Sequence, residues 1–286
     1  MSYSDVSVLC YLSIYFYIFL IHIPYKPFIF HINNIFFTLH KKSMSHVSVV
    51  IPSFNRFKFL MNAIQSIQSQ TIKSQIEIIV VNDCSSEKEY YTFDWEKNNI
   101  KIIHLEKNTR ELFGFVCVGH VRNIGISVAT GKYIAFCDDD DSWLPNKLEL
   151  QLDAMKRTGC KMSSTEGLFG RGAYDAFQSY PKYNAEAHLD ILKNIYKNKN
   201  STYLDNGFPE IWTNDFIKIH NCVLCSSVVI EKEILDMIHN MRCVSICSLM
   251  PEDYDCWLRA TQHTECVYVK EPCIYYDGGH GYGLNR

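Results

Sequence analysis

Four consecutive aspartates directly after an apolar run are the feature that most constrains how this chain can fold. The segment Lys132–Lys147 reads KYIAFCDDDDSWLPNK, in which core-type residues lead into Asp138, Asp139, Asp140 and Asp141. Adjacent negative charges at the end of a buried strand repel one another unless a cation or hydrogen-bond donors offset them. Carboxylate oxygens suit a hard divalent ion such as Mg²⁺ or Mn²⁺, with substrate phosphates completing the shell. A solvated acidic loop that begins a helix is the alternative interpretation.

The residues around this run predict a mainly parallel sheet with helices between its strands. Four short apolar runs, rich in β-branched residues, are typical of buried strands; they lie at 47–51, 76–81, 100–105 and 133–136. Strand, helix, strand with short links implies right-handed crossovers, so we expect an α/β fold. Ligands in such sheets bind at the carboxyl ends of the strands. That rule gathers three polar loops, 52–56, 82–86 and 138–141, at one edge.

The second half of the chain gives weaker patterns. Pro145 and Gly159 bracket a helical repeat, and 223–230 predicts a further strand followed by a helix over 231–239. Residues 160–212 are rich in Gly, Tyr, Asn and Lys and do not predict a clear order of elements.

Composition narrows the class of protein. The chain has 286 residues, is 47% hydrophobic and carries a net charge of −3 without a long basic run, so nothing indicates nucleic-acid binding. The 12 cysteines are scattered through apolar segments, which favours buried thiols in a reducing, cytosolic compartment. Cys222, Cys225, Cys243 and Cys247 could supply zinc ligands, but the first two lie in the apolar run NCVLCSSVVI, which argues against a zinc site.

An uncharged stretch at 6–23 is long enough to be weighed as a membrane span. Basic residues after it would leave the remainder of the chain in the cytosol. Because Met44 stands just before a typical domain start, 1–43 is alternatively an upstream extension, and ordered packing is a third interpretation. We therefore treat 1–45 as a hydrophobic segment that is separate from a domain over 46–286.

Four blocks in this order resemble family 2 glycosyltransferases, inverting enzymes of the GT-A fold that use nucleotide-activated sugars. They are VSVVIPSFNR (Val47–Arg56), IEIIVVNDCSS (Ile76–Ser86), VRNIGISVATGKYIAFCDDDDSWLPNKLE (Val121–Glu149) and PEDYDCWLR (Pro251–Arg259). The resemblance covers about residues 46–275. Cys84 departs from the family's usual glycine, and Phe54 from its commoner tyrosine.

The resemblance implies a nucleotide-sugar-binding half over 46–142 and an acceptor-binding half over 143–286. It implies a nucleotide-sugar donor, most commonly a UDP-sugar, and Mn²⁺ or Mg²⁺ as the metal. The acceptor would be a glycan, lipid or protein with a free hydroxyl. The catalytic domain would be cytoplasmic, with membrane association through 6–23 as an option.

The resemblance implies that six residues outside the acidic run contact the nucleotide-sugar, together with Asp138 and Asp139 of the run. The six are Pro52, Ser53 and Phe54 at the border of the nucleotide pocket, Asp83 as hydrogen-bond partner of the base, and Arg122 and Asn123 along the cleft.

The resemblance implies that two groups of acidic residues carry out metal binding and proton transfer. Asp138 and Asp140 would form the DxD pair, with Asp140 contacting the metal directly and Asp139 beside the sugar or ribose. Asp253 would be the general base, with Glu252 as its neighbour. A divalent ion would stabilise the charge that grows on the departing diphosphate, and a carboxylate would take the acceptor's proton.

Other functions stay open at this point. Pro251, Glu252 and Asp253 would also make a good helix N-terminus without any catalytic role. A nucleotide-sugar-binding relative without turnover is one alternative to an active transferase. An Asp-x-Asp phosphohydrolase is another, although that class carries its nucleophile on the first strand, and here three predicted strands come earlier.

Overall fold

A nine-stranded mixed sheet is the framework of the protein in the computed structural model, which describes residues 47–72, 76–198, 201–244 and 250–279. The strands are β1 (Val47–Ser53), β2 (Ile76–Asn82), β3 (Ile100–His104), β4 (Tyr133–Phe136), β5 (Ser142–Trp143), β6 (Met162–Gly170), β7 (Ile211–Trp212), β8 (Val229–Glu231) and β9 (Cys266–Asp277). The α-helices are α1 (Phe57–Gln68), α2 (Glu89–Thr92), α3 (Thr109–Phe113), α4 (Val118–Val128), α5 (Lys147–Thr158), α6 (Leu189–Lys197), α7 (Asn214–Ile217), α8 (Lys232–Met237) and α9 (Glu252–Ala260).

The first four strands form the parallel half of the sheet, in the order β3-β2-β1-β4. Val50 lies between Ile79 and Phe136 in the middle of this half, and all three side chains are fully buried. Such strands are covered on both faces, which is why they appear in the sequence as continuous apolar runs. The predicted α/β arrangement of strands and helices is confirmed for this half.

The remaining strands make the other half antiparallel or mixed. β8 runs antiparallel to both β4 and β6, whereas β6 and β9 run parallel with a bulge after Thr165. The short strands β5 and β7 both pair antiparallel with β9. β9 is therefore a long strand that pairs with β6 and, through β5, with the segment directly after the acidic run.

Two apolar cores cover the two faces of the sheet. One contains buried residues of α4 and α9, and the other contains buried residues of α1 and α5. Helix α4 approaches β1 so closely at Gly125 that a Cβ added to this residue would lie 2.4 Å from Val50 Cγ1. This close approach requires glycine and holds α4 against the central strand.

The predicted strand over 223–230 is wrong for most of its length. Only Val229–Glu231 forms a strand, and Cys225–Ser227 is a turn of 3₁₀-helix. The Ser227 hydroxyl donates to the Leu224 carbonyl at 2.7 Å, a local bond that competes with a strand ladder. The helix predicted over 231–239 is shorter, Lys232–Met237.

One pair of cysteines, Cys117 and Cys243, is brought together with Cα atoms 5.8 Å apart, and the reduced state of the cysteines stays a prediction. Eight other cysteines of the described residues are free thiols, and seven of these are buried. Cys222 and Cys225 lie in an apolar core, and Cys247 lies outside the described residues.

The hydrophobic segment 6–23 also lies outside the described residues. Within the part of the chain that the structure describes, no helix has the length and apolar character needed to cross a membrane.

Candidate active site

Three loops meet at the carboxyl ends of β1, β2 and β4, at the edge where the sequence predicted them to lie together. The Ser53 hydroxyl donates to Asp139 Oδ2 at 2.8 Å, and the Asp83 amide donates to the Ser53 carbonyl at 2.9 Å. Asn55, which has a φ of 51°, accepts a hydrogen bond from the Ser86 amide through Oδ1 at 2.7 Å. The three loops are thus hydrogen-bonded into one surface.

Two of the four aspartates share one arginine. Arg56 Nη1 lies 2.6 Å from Asp140 Oδ2 and 3.3 Å from Asp139 Oδ1. Asp139 is completely buried, and the Asp140 side chain keeps only 9% of its surface exposed. Burial alone would lower the pKa of Arg56, but the two carboxylates raise it. Arg56 is therefore a permanent positive charge in contact with the acidic run.

The first aspartate is bound by a second arginine that also reaches helix α9. Arg122 donates to Asp138 Oδ1 through Nη2 at 2.6 Å and to Glu252 Oε1 through Nη1 at 2.8 Å. Its side chain is 4% exposed, whereas that of Asp138 is 25% exposed. Arg122, carried by α4, therefore connects the acidic run to the N-terminus of α9.

The fourth aspartate has a different environment. Asp141 is 2% exposed and accepts a hydrogen bond from the Asp277 amide at the end of β9, at 3.1 Å. Burial, together with the charges of Asp140 and Asp138, raises the pKa of Asp141 well above its usual range. Its contacts connect the acidic run to β9.

Two adjacent acids begin helix α9, and their surroundings separate them chemically. Glu252 is tied to Arg122, whereas Asp253 accepts a local hydrogen bond from the Tyr254 amide at 2.7 Å. Burial and the neighbouring Glu252 charge raise the pKa of Asp253 to about 6, from an ordinary 3.8. A carboxylate whose pKa is raised towards neutrality is typical of a general acid or base.

Asp83 is held by the loop that follows β3. Its two carboxylate oxygens accept hydrogen bonds from the Thr109 amide at 2.8 Å and the Thr109 hydroxyl at 2.7 Å. Its carbonyl accepts one from the Asn108 side chain at 2.8 Å. Each carboxylate oxygen has a second lone pair, so the predicted contact with a nucleotide base is compatible with these bonds.

The remaining predicted residues lie in or beside the same edge. Pro52 is buried within β1, and Phe54 lies partly exposed at the bend directly after it. Asn123 lies on α4, and both ends of its side-chain amide are hydrogen-bonded. The Nδ2 atom donates to the Met241 carbonyl at 2.7 Å, and Oδ1 accepts from the Met241 amide at 3.0 Å. The structure therefore shows Asn123 holding the 241–244 segment, and its contact with a nucleotide-sugar stays a prediction.

The acidic run fits a divalent ion bound jointly with a substrate. Among the described residues, no three or more His, Cys, Asp or Glu side chains form a set that could hold a metal ion alone. Asp138 and Asp140 nonetheless supply hard oxygen donors, and Mg²⁺ is commonly held by one or two carboxylates plus substrate phosphates. The donor chemistry thus suits Mg²⁺ or Mn²⁺ in the presence of a diphosphate.

Sequence reasoning missed three residues that shape the site. Arg56 and Thr109 bind the predicted aspartates directly, as described above. The Ser226 hydroxyl, in the 3₁₀ turn before β8, accepts a hydrogen bond from the Asp138 amide at 2.9 Å. Arg56 stands inside a block that the sequence had singled out, so its charge beside the loop was the available signal. Thr109 and Ser226 gave no comparable signal.

Comparison with known proteins agrees with this arrangement. The family model "Glycosyl transferase family 2" matches residues 48–229. An uncharacterized glycosyltransferase of Rickettsia bellii is 39% identical over 121 residues, which are 42% of this chain and 16% of that protein. The UDP-Glc:alpha-D-GlcNAc-diphosphoundecaprenol beta-1,3-glucosyltransferase WfaP of Escherichia coli is 27% identical over 217 residues, covering 75% of this chain and 70% of WfaP.

A solved structure supports the fold. S. aureus TarS 1-349, crystallised in complex with UDP-GlcNAc, superposes with a TM-score of 0.56 at 17% identity, over 82% of this chain and 59% of that chain. This chain thus spans 16% of the Rickettsia relative and 59% of the TarS fragment, which is less than two thirds of either. Since the family model covers more than half of the sequence, the chain belongs to glycosyl transferase family 2. The predicted GT-A type of α/β fold is confirmed.

Proposed function

We propose that the protein is an inverting glycosyltransferase that moves a sugar from a UDP-sugar to an acceptor hydroxyl. In this proposal Asp138 and Asp140 hold Mn²⁺ or Mg²⁺ together with the donor's diphosphate, and Asp253 is the general base. Family membership supports the reaction class, and the hard oxygen donors of the acidic run support the metal.

The observation that carries this proposal is the division of labour between the two acids at the start of α9. Glu252 is ion-paired with Arg122, and the same arginine binds Asp138. Asp253 has a pKa raised to about 6, so it is largely ionised at neutral pH and still basic enough to accept a proton. Arg122 therefore sets the position of the base relative to the acidic run.

The reaction would then be a single displacement. When bound, the divalent ion would stabilise negative charge on the departing diphosphate. The acceptor oxygen forms a bond to the anomeric carbon as the bond from that carbon to the diphosphate breaks, and Asp253 takes the hydroxyl proton. Direct displacement inverts the configuration at the anomeric carbon. Ser53 fixes Asp139 through a hydrogen bond before the donor arrives, so less reorganisation of this carboxylate is needed on binding.

The names of similar proteins guide the choice of substrates. WfaP is named for transfer from UDP-Glc to a GlcNAc-diphosphoundecaprenol, and TarS was crystallised with UDP-GlcNAc. We propose by analogy a UDP-hexose donor and a lipid-linked saccharide acceptor, within the wider class of glycan, lipid or protein acceptors. The acceptor half over 143–286 and a cytoplasmic location, with association to the membrane through 6–23, belong to the same proposal.

The experiment compares wild-type protein with Asp253→Asn, using UDP-glucose or UDP-GlcNAc, Mn²⁺ and a saccharide-diphosphate-lipid acceptor. We expect Asp253→Asn to bind UDP with unchanged affinity while sugar transfer falls by about 10²–10⁴-fold. Asp236→Asn, the same isosteric change on the exposed face of α8, should leave both unchanged. Transfer retained by Asp253→Asn would exclude Asp253 as the base.

The same assay separates the alternative functions. A binding protein without turnover would retain UDP-sugar without releasing UDP, with or without acceptor. A phosphohydrolase would release phosphate from simple phosphate esters and would not form a glycosidic product.

A further inference from the structure

Arg56 occupies a position that the proposed metal chemistry does not account for. It lies three residues after the last residue of β1, immediately before α1, and its side chain is 7% exposed. Its Nη1 atom binds Asp140 Oδ2 at 2.6 Å, which is the carboxylate proposed for direct contact with the metal. A guanidinium is always protonated, so this cation cannot leave by losing a proton.

A divalent ion that binds Asp140 has to compete with this arginine. The Asp140 side chain is only 9% exposed with the guanidinium against it, so an incoming ion meets both a covered carboxylate and a positive charge. Two cations a few ångströms apart repel by several times the thermal energy at the effective dielectric of a protein surface. Arg122 holds Asp138 in a similar way and is additionally fixed by Glu252 across the site.

Binding of the donor's diphosphate would change the competition between Arg56 and a divalent ion for Asp140. Guanidinium groups bind phosphate oxygens through paired hydrogen bonds. Arg56 follows directly on the segment 52–55, whose backbone and side chains form the edge at which the donor is proposed to bind. A long side chain at this position can exchange one anionic partner for another without movement of the sheet.

We propose that Arg56 is a placeholder cation, which holds Asp140 in the absence of a metal and passes to the donor's diphosphate when a divalent ion takes that carboxylate. This inference rests on the proposed function and adds a coupling to it. The metal and the nucleotide must then bind cooperatively, each strengthening the other by the same factor.

The test measures Mn²⁺ binding directly, by electron paramagnetic resonance of free Mn²⁺, with and without UDP. Wild-type protein should bind Mn²⁺ weakly alone and about tenfold or more tightly with UDP. Arg56→Gln should bind Mn²⁺ alone about tenfold more tightly than wild type does, because the competing charge is gone. The gain from UDP should shrink in this variant.

Arg56→Lys separates the two parts of the inference in a protein that keeps the charge. Lysine still competes with the ion but lacks the planar fork that binds phosphate. Mn²⁺ binding alone should therefore stay within about threefold of wild type, while the gain from UDP falls. Arg157→Gln, on the exposed face of α5, is the matched control and should leave all values unchanged.

Two results would overturn the inference. If Arg56→Gln binds Mn²⁺ no more tightly than wild type while wild type transfers sugar, Arg56 has only a structural role and the proposed function stands. If wild-type protein binds neither Mn²⁺ nor UDP in any combination, the proposed function and this inference both fail.

Discussion

Replacement of Arg122 by methionine is the perturbation whose effect the structure defines most closely. Methionine keeps the length of an unbranched apolar chain but removes the charge and both donors. Arg122 makes two charge-assisted hydrogen bonds, to Asp138 at 2.6 Å and to Glu252 at 2.8 Å, and is 4% exposed. After the substitution two carboxylates face each other without a cation between them.

The expected magnitude follows from the burial of the three groups. Removing one partner of a buried ion pair typically costs about 3–5 kcal/mol, because the remaining charge is left uncompensated. The Asp138 side chain is 25% exposed and can be partly solvated, which places the loss at the lower end, about 3 kcal/mol. For a domain of this size that corresponds to a melting temperature lower by about 6–12 °C.

Urea unfolding followed by circular dichroism, together with thermal melting, measures this loss. The double variant Arg122→Met/Glu252→Gln removes one of the stranded charges and should recover about 1–2 kcal/mol. Arg157→Met, which removes an exposed arginine paired with Glu210, should leave the urea midpoint unchanged. A loss below about 1 kcal/mol for Arg122→Met would refute the bridge between the acidic run and α9.

Three further predictions concern pH, packing and backbone strain. Because the pKa of Asp253 is about 6, kcat/KM should rise as the pH increases through 6 and level off above 7. Glu252→Gln removes a nearby negative charge and should move this rise to lower pH by up to about one unit in a pH–rate profile. A rise at the same pH in both proteins would contradict Asp253 as the base. Gly125→Ala places a methyl group 2.4 Å from Val50 Cγ1 and should lower the free energy of unfolding, measured in urea, by about 1–3 kcal/mol. The double variant Gly125→Ala/Val50→Ala should lose less than the sum of the two single losses, because Val50→Ala removes the clashing atom. Cys84 has a φ of 60°, which a β-branched residue adopts only with strain. Cys84→Val should therefore lower the free energy of unfolding by about 1–2 kcal/mol, whereas Cys84→Gly should not. Equal urea midpoints for the two variants would argue against strain at this turn.

The parallel half of the fold could be predicted from the sequence because its signals are local. β1, β2 and β4 begin at the predicted residues and end within two residues of the predicted ends. Their buried faces require continuous apolar runs, and such runs stand out from the polar loops on both sides. Because each of the loops 52–56, 82–86 and 138–141 directly follows one of these strands, the sequence also predicted that the three loops lie at one edge of the sheet.

The other half could not be predicted because its order depends on distant partners. β6 contains four consecutive buried polar residues, Ser163–Glu166, which no periodicity rule places inside a sheet. Glu166 is satisfied by the amides of Asn184 and Ala185 and by the Tyr268 hydroxyl, all at 2.7–2.9 Å. Partners that lie 18 to 102 residues away leave no local signature in the sequence.

The site shows the same division. The acidic run and the acids at the start of α9 were identified as candidates because charged residues next to apolar patterns are conspicuous. Their pairings with arginines were not predicted, because Arg56 lies 84 residues before Asp140, and Arg122 lies 130 residues before Glu252. Which acid at the start of α9 is paired with Arg122 is decided by these contacts, and only the structure shows them.

The most direct test of the central claim is the configuration of the product formed from an α-linked UDP-sugar. The protein is incubated with UDP-glucose, Mn²⁺ and a saccharide-diphosphate-lipid acceptor, and the new glycosidic linkage is read by NMR. We expect a β-linked product whose formation requires Asp253. An α-linked product, or a β-linked product formed equally well by Asp253→Asn, would contradict the proposed mechanism.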